Sequence, residues 1–357
     1  MKKIILAFCA LAMVAMVSCK KDDPKPGNGT TPGNPPAAEQ QREGEFSPAA
    51  KIHYVEVDGQ PSEEWVWVEG LLNTVRTANG NGAYTDAIRF TYDGKRVSEL
   101  TYMGSLMSGT LSVEYSGDYM SAISLVRDGV QLLSAHLDHN SQDKISHMEI
   151  SIDSAYINEL LDQLTGGFSF GKGPDVMAKA VTAVAKAAGD SKLAFNSADA
   201  SVDIEWDGDN ASRMMATVSV NGSVTLNEIN SVMDLSSYLG EYSGILLSMF
   251  GDMPLPLTLT VGDTIDYTYD TGHNPMQGYM GSFDVSMFSA NNVLTSNSYG
   301  MMSATLSINL MGFSQEVPFS YPIPSSAVSH TYTYNEAGFP LTVTDSDSRV
   351  TAYTYME

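Results

Sequence analysis

The chain has 357 residues, with 42 Asp and Glu against 19 Lys and Arg and a formal net charge of −23. A protein this acidic repels nucleic acid and anionic headgroups alike, which excludes nucleic-acid binding and any electrostatic adhesion to a membrane. With only two cysteines, neither a disulfide framework nor a cysteine-rich metal site is open to it.

At the amino end, Lys2 and Lys3 precede an unbroken apolar run of fourteen residues, Ile4 to Val17. That run is short of the roughly 20 residues a membrane-spanning helix needs. It fits the apolar centre of an export signal instead, so residues 1–18 read as a lipoprotein signal peptide. Met16-Val17-Ser18-Cys19 resembles the bacterial lipobox, whose cysteine sulfur receives a diacylglycerol before cleavage leaves it first in the chain. Cys19 is therefore the expected lipidation site, a palmitate-type membrane anchor. Cys9 leaves with the signal, and so do two lysines, which takes the net charge from −23 to −25.

Lys21, Asp22 and Asp23 follow, and they resemble the surface-export signal of Bacteroidota lipoproteins. That resemblance implies a lipid-anchored protein of the outer membrane displayed at the cell surface. The alternative is the periplasmic face, with these charges merely opening a solvated linker. Residues 19–46 are rich in Pro, Gly, Asn, Thr and Gln and read as a disordered tether. At that length it holds its cargo about 25–30 Å from the lipid.

Residues 47–357 read as one mainly β domain, a curved antiparallel meander or barrel-like sheet of repeated hairpins with helical insertions capping it. Three stretches share one spacing: Ile88 to Tyr92-Asp93-Gly94, Leu111 to Tyr115-Ser116-Gly117, and Val202 to Trp206-Asp207-Gly208. In each, the aromatic is followed by apolar residues five and eight positions on. Alternating polarity before the turn sends one face inward, and the Gly-containing turn supplies the positive φ angles a tight hairpin requires. Looser copies run from Ile265 through Tyr269 and from Tyr332 through Val343, and a copy with a longer turn spans Leu133 to Ile150. Helical spacing interrupts the pattern at about 153–190, where Pro174 opens and Gly189 closes a helix, and again at about 228–250. Together with the lipobox, the Tyr92-Asp93-Gly94 and Tyr332 to Val343 units resemble an uncharacterised Bacteroidota lipoprotein family with repeated Y-x-Y-D-x-x-G-type strands and a porin-like barrel fold. The resemblance implies a fold class and an envelope location, and it implies no activity.

Chemistry-bearing motifs are sparse. His136, Asp138, His139 and His147 form the one histidine cluster, but positions 136 and 139 of a strand face opposite ways and cannot share a metal without a bulge. Glu205, Asp207, Asp209, Asp345 and Asp347 alternate without the twelve-residue loop of a calcium-binding hand. Trp65 and Trp67 share one side of a strand, as core or as a sugar-stacking platform. No metal, cofactor or catalytic residue is assigned. The reading is a non-enzymatic envelope binding protein for a glycan, an apolar ligand or a partner protein; the alternative is a surface hydrolase acting on glycans through carboxylates. Replacing Asp22 and Asp23 with Ala should make the domain resistant to protease added to intact cells, whereas a wild-type domain already resistant would place it on the periplasmic face.

Overall fold

The computed structural model describes residues 42–104, 108–156, 194–227, 230, 240, 243–281, 284–310 and 313–356. Sixteen antiparallel strands close into a barrel in which each pairs with its sequence neighbours. They are β1 (Ile52–Val57), β2 (Gln60–Val68), β3 (Leu71–Ala78), β4 (Tyr84–Asp93), β5 (Arg96–Met103), β6 (Ser108–Ser116), β7 (Tyr119–Arg127) and β8 (Val130–His139), then β9 (Ile145–Ile152), β10 (Ala194–Asp207), β11 (Asn210–Thr225), β12 (Pro254–His273), β13 (Asn291–Leu310), β14 (Phe313–Tyr334), β15 (Pro340–Asp345) and β16 (Val350–Tyr355). Closure comes from β1 pairing with β16, from Ile52 opposite Tyr355 to Val57 opposite Thr351. Of the two forms open to a long meander, curled sheet or closed barrel, the chain takes the one without edges.

Turn chemistry explains the up-and-down order. At Asp58-Gly59, Glu69-Gly70 and Asp128-Gly129 both central residues have positive φ. That is the type I′ turn, whose twist matches the twist of the two strands it joins. All links are thus short except those after β9, β11 and β12. Two described helices lie in the later links, α1 (Ser243–Phe250) and α2 (Val285–Phe288). Helix α1 falls within the 228–250 insertion, and its Leu247 and Phe250 pack on the core. The 153–190 insertion lies almost wholly outside the described residues.

Strand polarity decides what kind of barrel this is. On β12, Leu255, Leu259, Val261, Ile265 and Tyr267 are buried, while the alternate residues Thr258, Thr260, Thr264, Asp266 and Thr268 face out. On β10, Ala198, Ala200, Val202 and Ile204 face in, and Asp199, Ser201, Asp203 and Glu205 face out. On β9, Met148, Ile150 and Ile152 alternate with His147, Glu149 and Ser151 in the same sense. A membrane-spanning barrel has the opposite pattern, with an outward apolar band about 25 Å tall. This wall is built to face water.

The rim where the chain enters carries a repeated device. Tyr92, Tyr115, Tyr332 and Tyr355 each sit near the end of an even-numbered strand, and their hydroxyls donate to the carbonyls of Leu72, Val97, Val293 and Pro340 at 2.7 Å. Tyr269 donates to the Ala211 carbonyl at 2.6 Å, and the indoles of Trp67 and Trp206 donate to the Ile52 and Ile145 carbonyls at 2.7 and 2.9 Å. In each case the acceptor lies near the start of the preceding strand. The register slips by one residue at Trp67, Tyr92, Tyr115, Trp206 and Tyr269. Such a bulge re-aims a side chain, and here it brings the polar tip of the ring to a carbonyl while the ring packs inward. The aromatics of the three evenly spaced hairpins, Tyr92, Tyr115 and Trp206, all have this role. Tyr92→Phe and Tyr332→Phe should each cost about 1 kcal/mol and add when combined. Urea unfolding measures this, with the outward Thr264→Val expected to stay within about 0.5 kcal/mol of wild type.

Candidate functional site in the barrel interior

Sixteen strands enclose more space than wall side chains alone fill, so what enters the interior sets its chemistry. After β12 the chain turns back into the barrel as a plug, its described residues 274–281 and 284–290 carrying Tyr279, Met280, Val285 and Met287 into the core. Its neck is held by side chains. Asn274 Nδ2 donates to the Ser289 carbonyl at 2.7 Å, Ser289 Oγ bonds the Tyr269 hydroxyl at 2.9 Å and accepts from Ala211 N at 3.1 Å. Asn210 and Asn291 exchange two hydrogen bonds at 3.0 Å. Asp270 accepts from Gly272 N at 2.9 Å, from Asn292 N at 3.1 Å and from the Tyr334 hydroxyl. Burial still raises the Asp270 carboxyl above its ordinary value, against these donors.

The plug meets a second inserted segment. Phe46 is 1% exposed, with its ring centroid 5.5 Å from Tyr279 and 5.7 Å from Trp67. Tyr279 in turn lies 4.6 Å from Trp65 and 6.0 Å from Phe90. This corrects the expected boundary of the tether at residue 46: its last residues belong to the folded barrel. Gly44, with φ +79°, crosses the rim where a Cβ would strike the Tyr115 hydroxyl. Glu43 accepts from Met120 N at 2.6 Å and pairs with His139 at 2.8 Å, and Arg42 joins Arg96 on Asp118. A single aromatic in a polar stretch gives little sequence signal, because what buries Phe46 comes from residues 65, 67 and 279.

Inside this apolar frame lie a few ionisable groups. Glu63 accepts from the Trp65 indole at 2.8 Å, yet burial pushes its carboxyl up from the ordinary range. Asp263 faces inward from β12 with Oδ1 buried and unpartnered among the described residues, and burial raises it to about 6. His330, inward on β14, likewise leaves Nδ1 unpartnered, and burial lowers its imidazole. Burial also holds the tyrosines of the interior, Tyr102, Tyr279 and Tyr353, above their ordinary value. Each of these groups can bond a polar atom of a molecule otherwise surrounded by hydrocarbon. Asp263 was legible in principle, since it occupies an inward position in the alternation Leu255 to Tyr269. Glu63 shares one side of β2 with Trp65 and Trp67 in the same way, but the plug that helps to bury it had no local signal.

The residues singled out from the sequence fall elsewhere. Cys19, Lys21, Asp22 and Asp23 lie outside the described residues. His136 faces out near Asp138, His139 meets Glu43 at the rim, and His147 pairs with Asp203 at 2.6 Å. No group of three His, Cys, Asp or Glu is placed to hold a metal ion among the described residues. Glu205 pairs with Arg213 at 3.4 Å and Asp209 with Lys144 at 2.9 Å, on the outer wall and at the rim. Asp345 accepts from Asp347 N and Arg349 N at 3.1 and 2.9 Å, closing its own turn. Trp65, 1% exposed, and Trp67 are core residues, so the sugar-stacking platform is not formed.

No protein-family model matches the chain, and no curated protein does. Among solved structures it is similar to a porin-like protein from Bacteroides uniformis, at 10% identity and a TM-score of 0.27, covering 88% of this chain and 100% of that one. At that TM-score the likeness says nothing about function.

An acid whose folded value lies above its unfolded one weakens the fold once the unfolded chain ionises. For Asp263 the penalty is absent below about pH 4, grows up to about pH 6 and stays constant above. Asp263→Asn should therefore raise stability by about 1–2 kcal/mol at pH 7.5, after allowing for partial solvent contact, and leave it unchanged at pH 3.5. Thermal melting at the two pH values tests this.

Proposed function

We propose that this protein is a lipid-anchored binding protein of the bacterial outer membrane, displayed at the cell surface, whose water-facing barrel takes a small, largely apolar ligand into its interior. One observation carries the reading: the wall is polar outside and apolar inside. A pore needs the reverse, and a wall bearing Asp199, Asp203, Glu205 and Asp266 outward has no band for lipid.

The anchor rests on the signal-like start and the lipobox at Cys19. Since residues 42–46 cross the rim of the turns at 69–70, 94–95 and 117–118, a lipid at Cys19 would hold that rim toward the membrane. The opposite rim, to which the long strands β10 to β14 rise, would then face outward. The ligand preference rests on the inward rows of Leu, Val, Ile and Met, interrupted by a few polar groups, Glu63, Asp263 and His330. The hydrolase alternative gains nothing here, since Glu205 and Asp209 are paired with Arg213 and Lys144 and Asp345 closes a turn.

Two measurements test the proposal. Cys19→Ala should shift the protein from the detergent phase to the aqueous phase in a phase separation, and unchanged partitioning would remove the anchor. The same variant, purified without detergent, should remain monodisperse and add no conductance to a planar bilayer; stepwise conductance would overturn the water-facing reading.

A further inference from the structure

On β12 the inward row reads Leu259, Val261, Asp263, Ile265 and Tyr267, and every member but the acid is an apolar or aromatic buried side chain. Asp263 lies opposite Gly300 of β13, which lies opposite Ile323 of β14. A Cβ on Gly300 would come within 2.2 Å of the Gly262 carbonyl oxygen, so the wall beside the acid carries no side chain. One register step along, the hydroxyls of Ser298 and Ser326 share a hydrogen bond of 2.9 Å. The result is a small polar patch of one carboxyl, two hydroxyls and a bare stretch of backbone, bordered by Val261, Ile265 and Ile323.

Asp263 Oδ1 has no hydrogen-bond partner among the described residues. Leaving a buried acceptor unmade costs its whole desolvation, whereas an apolar side chain of similar size in the same place would cost nothing of the kind. An orphan of this sort asks for an explanation outside the chain. The strands beside it offer no cation. The inward residues of β11 are Met214, Ala216, Val218 and Val220, those of β13 are Ser296, Ser298, Gly300 and Met302, and β14 brings Ile323, Ser326, Val328 and His330. His330 is the one titratable side chain in these rows, and burial favours its neutral form.

We propose that Asp263 is the head-group residue of the interior site, accepting a hydrogen bond from the protonated amine that ends an otherwise apolar ligand. A carboxylate in apolar surroundings gains far more from a cationic donor than from a neutral one. The acid is ionised at pH 7.5, so the pair forms without a proton having to leave it. A fatty-acid anion would meet a like charge, with no cation among the described inward residues of the neighbouring strands. This inference rests on the interior being a binding site at all.

The test uses the full-length chain and three twelve-carbon probes, dodecylamine, dodecanol and dodecanoate, each below its micelle concentration. Titration calorimetry at pH 7.5 in about 0.3 M salt screens the acidic exterior. Dodecylamine should bind at least about ten-fold tighter than dodecanoate. Asp263→Asn, which keeps the shape of the side chain and whose folding is verified by its melting curve, should abolish that preference and leave dodecanol unaffected. In the wild type, amine affinity should fall as pH drops through about 6; in the variant it should not. A preference that survives in Asp263→Asn, or dodecanoate binding as tightly as the amine, overturns the head-group assignment while leaving an apolar interior site standing. Binding by none of the three probes removes the interior-site reading, and this inference with it.

Discussion

A β-strand turns successive side chains to opposite faces, and closing sixteen strands makes one of those faces an inside. Everything else in this protein follows from which residues occupy it. The inward rows are mainly aliphatic and aromatic and the outward rows mainly Thr, Ser, Asp, Glu and Arg, so the wall carries its polar face outward at a strand number where membrane barrels hold a channel. Among the described residues, part of the barrel interior is occupied by protein: a plug that enters after β12 and a short segment that enters before β1, with Phe46 and Tyr279 stacked against Trp65, Trp67 and Phe90.

Such an arrangement makes heavy demands on one rim. Chain enters there, the plug turns back there, and most hairpins at that end carry a bulge. The ring of aromatic side chains meets these demands by uniting two roles in one residue. Each ring adds apolar contact below the rim, and each hydroxyl or indole N–H satisfies a carbonyl that the bulge or strand end would leave open. The Asn and Ser side chains around the plug neck do the same for a segment with no strand partner of its own. Tyr269 links the two systems, since it bonds both the Ala211 carbonyl and Ser289.

Against that thorough pairing, the orphaned atoms inside the barrel are conspicuous. Glu63 has one donor, the Trp65 indole, and is still raised by burial; Asp263 Oδ1 and His330 Nδ1 have none among the described residues. On the function proposed above, an acid kept at a cost to the fold reflects stability and function pulling in opposite directions. Burial makes these interior carboxyls harder to ionise, since it removes the water that would stabilise their charge.

Much of the wall could be read along the chain, because hairpins are local. The turns at Gly94, Gly117 and Gly208 and the alternation around them depend on residues a few positions apart, and alternation is enough to say that Ser98, Glu205 and Thr333 face away from Val97, Val202 and Tyr332. The net charge and the cysteine count are likewise set by the sequence alone, since neither depends on the fold. Closure, the plug and the interior acids belong to the tertiary structure. Ile52 meets Tyr355 across nearly the whole chain, Tyr279 finds Trp65 more than two hundred residues away, and Glu63 is raised only because those rings surround it. A carboxyl in sequence is simply polar. Whether it is solvated or stranded depends on what the distant strands place around it, and no local pattern encodes that.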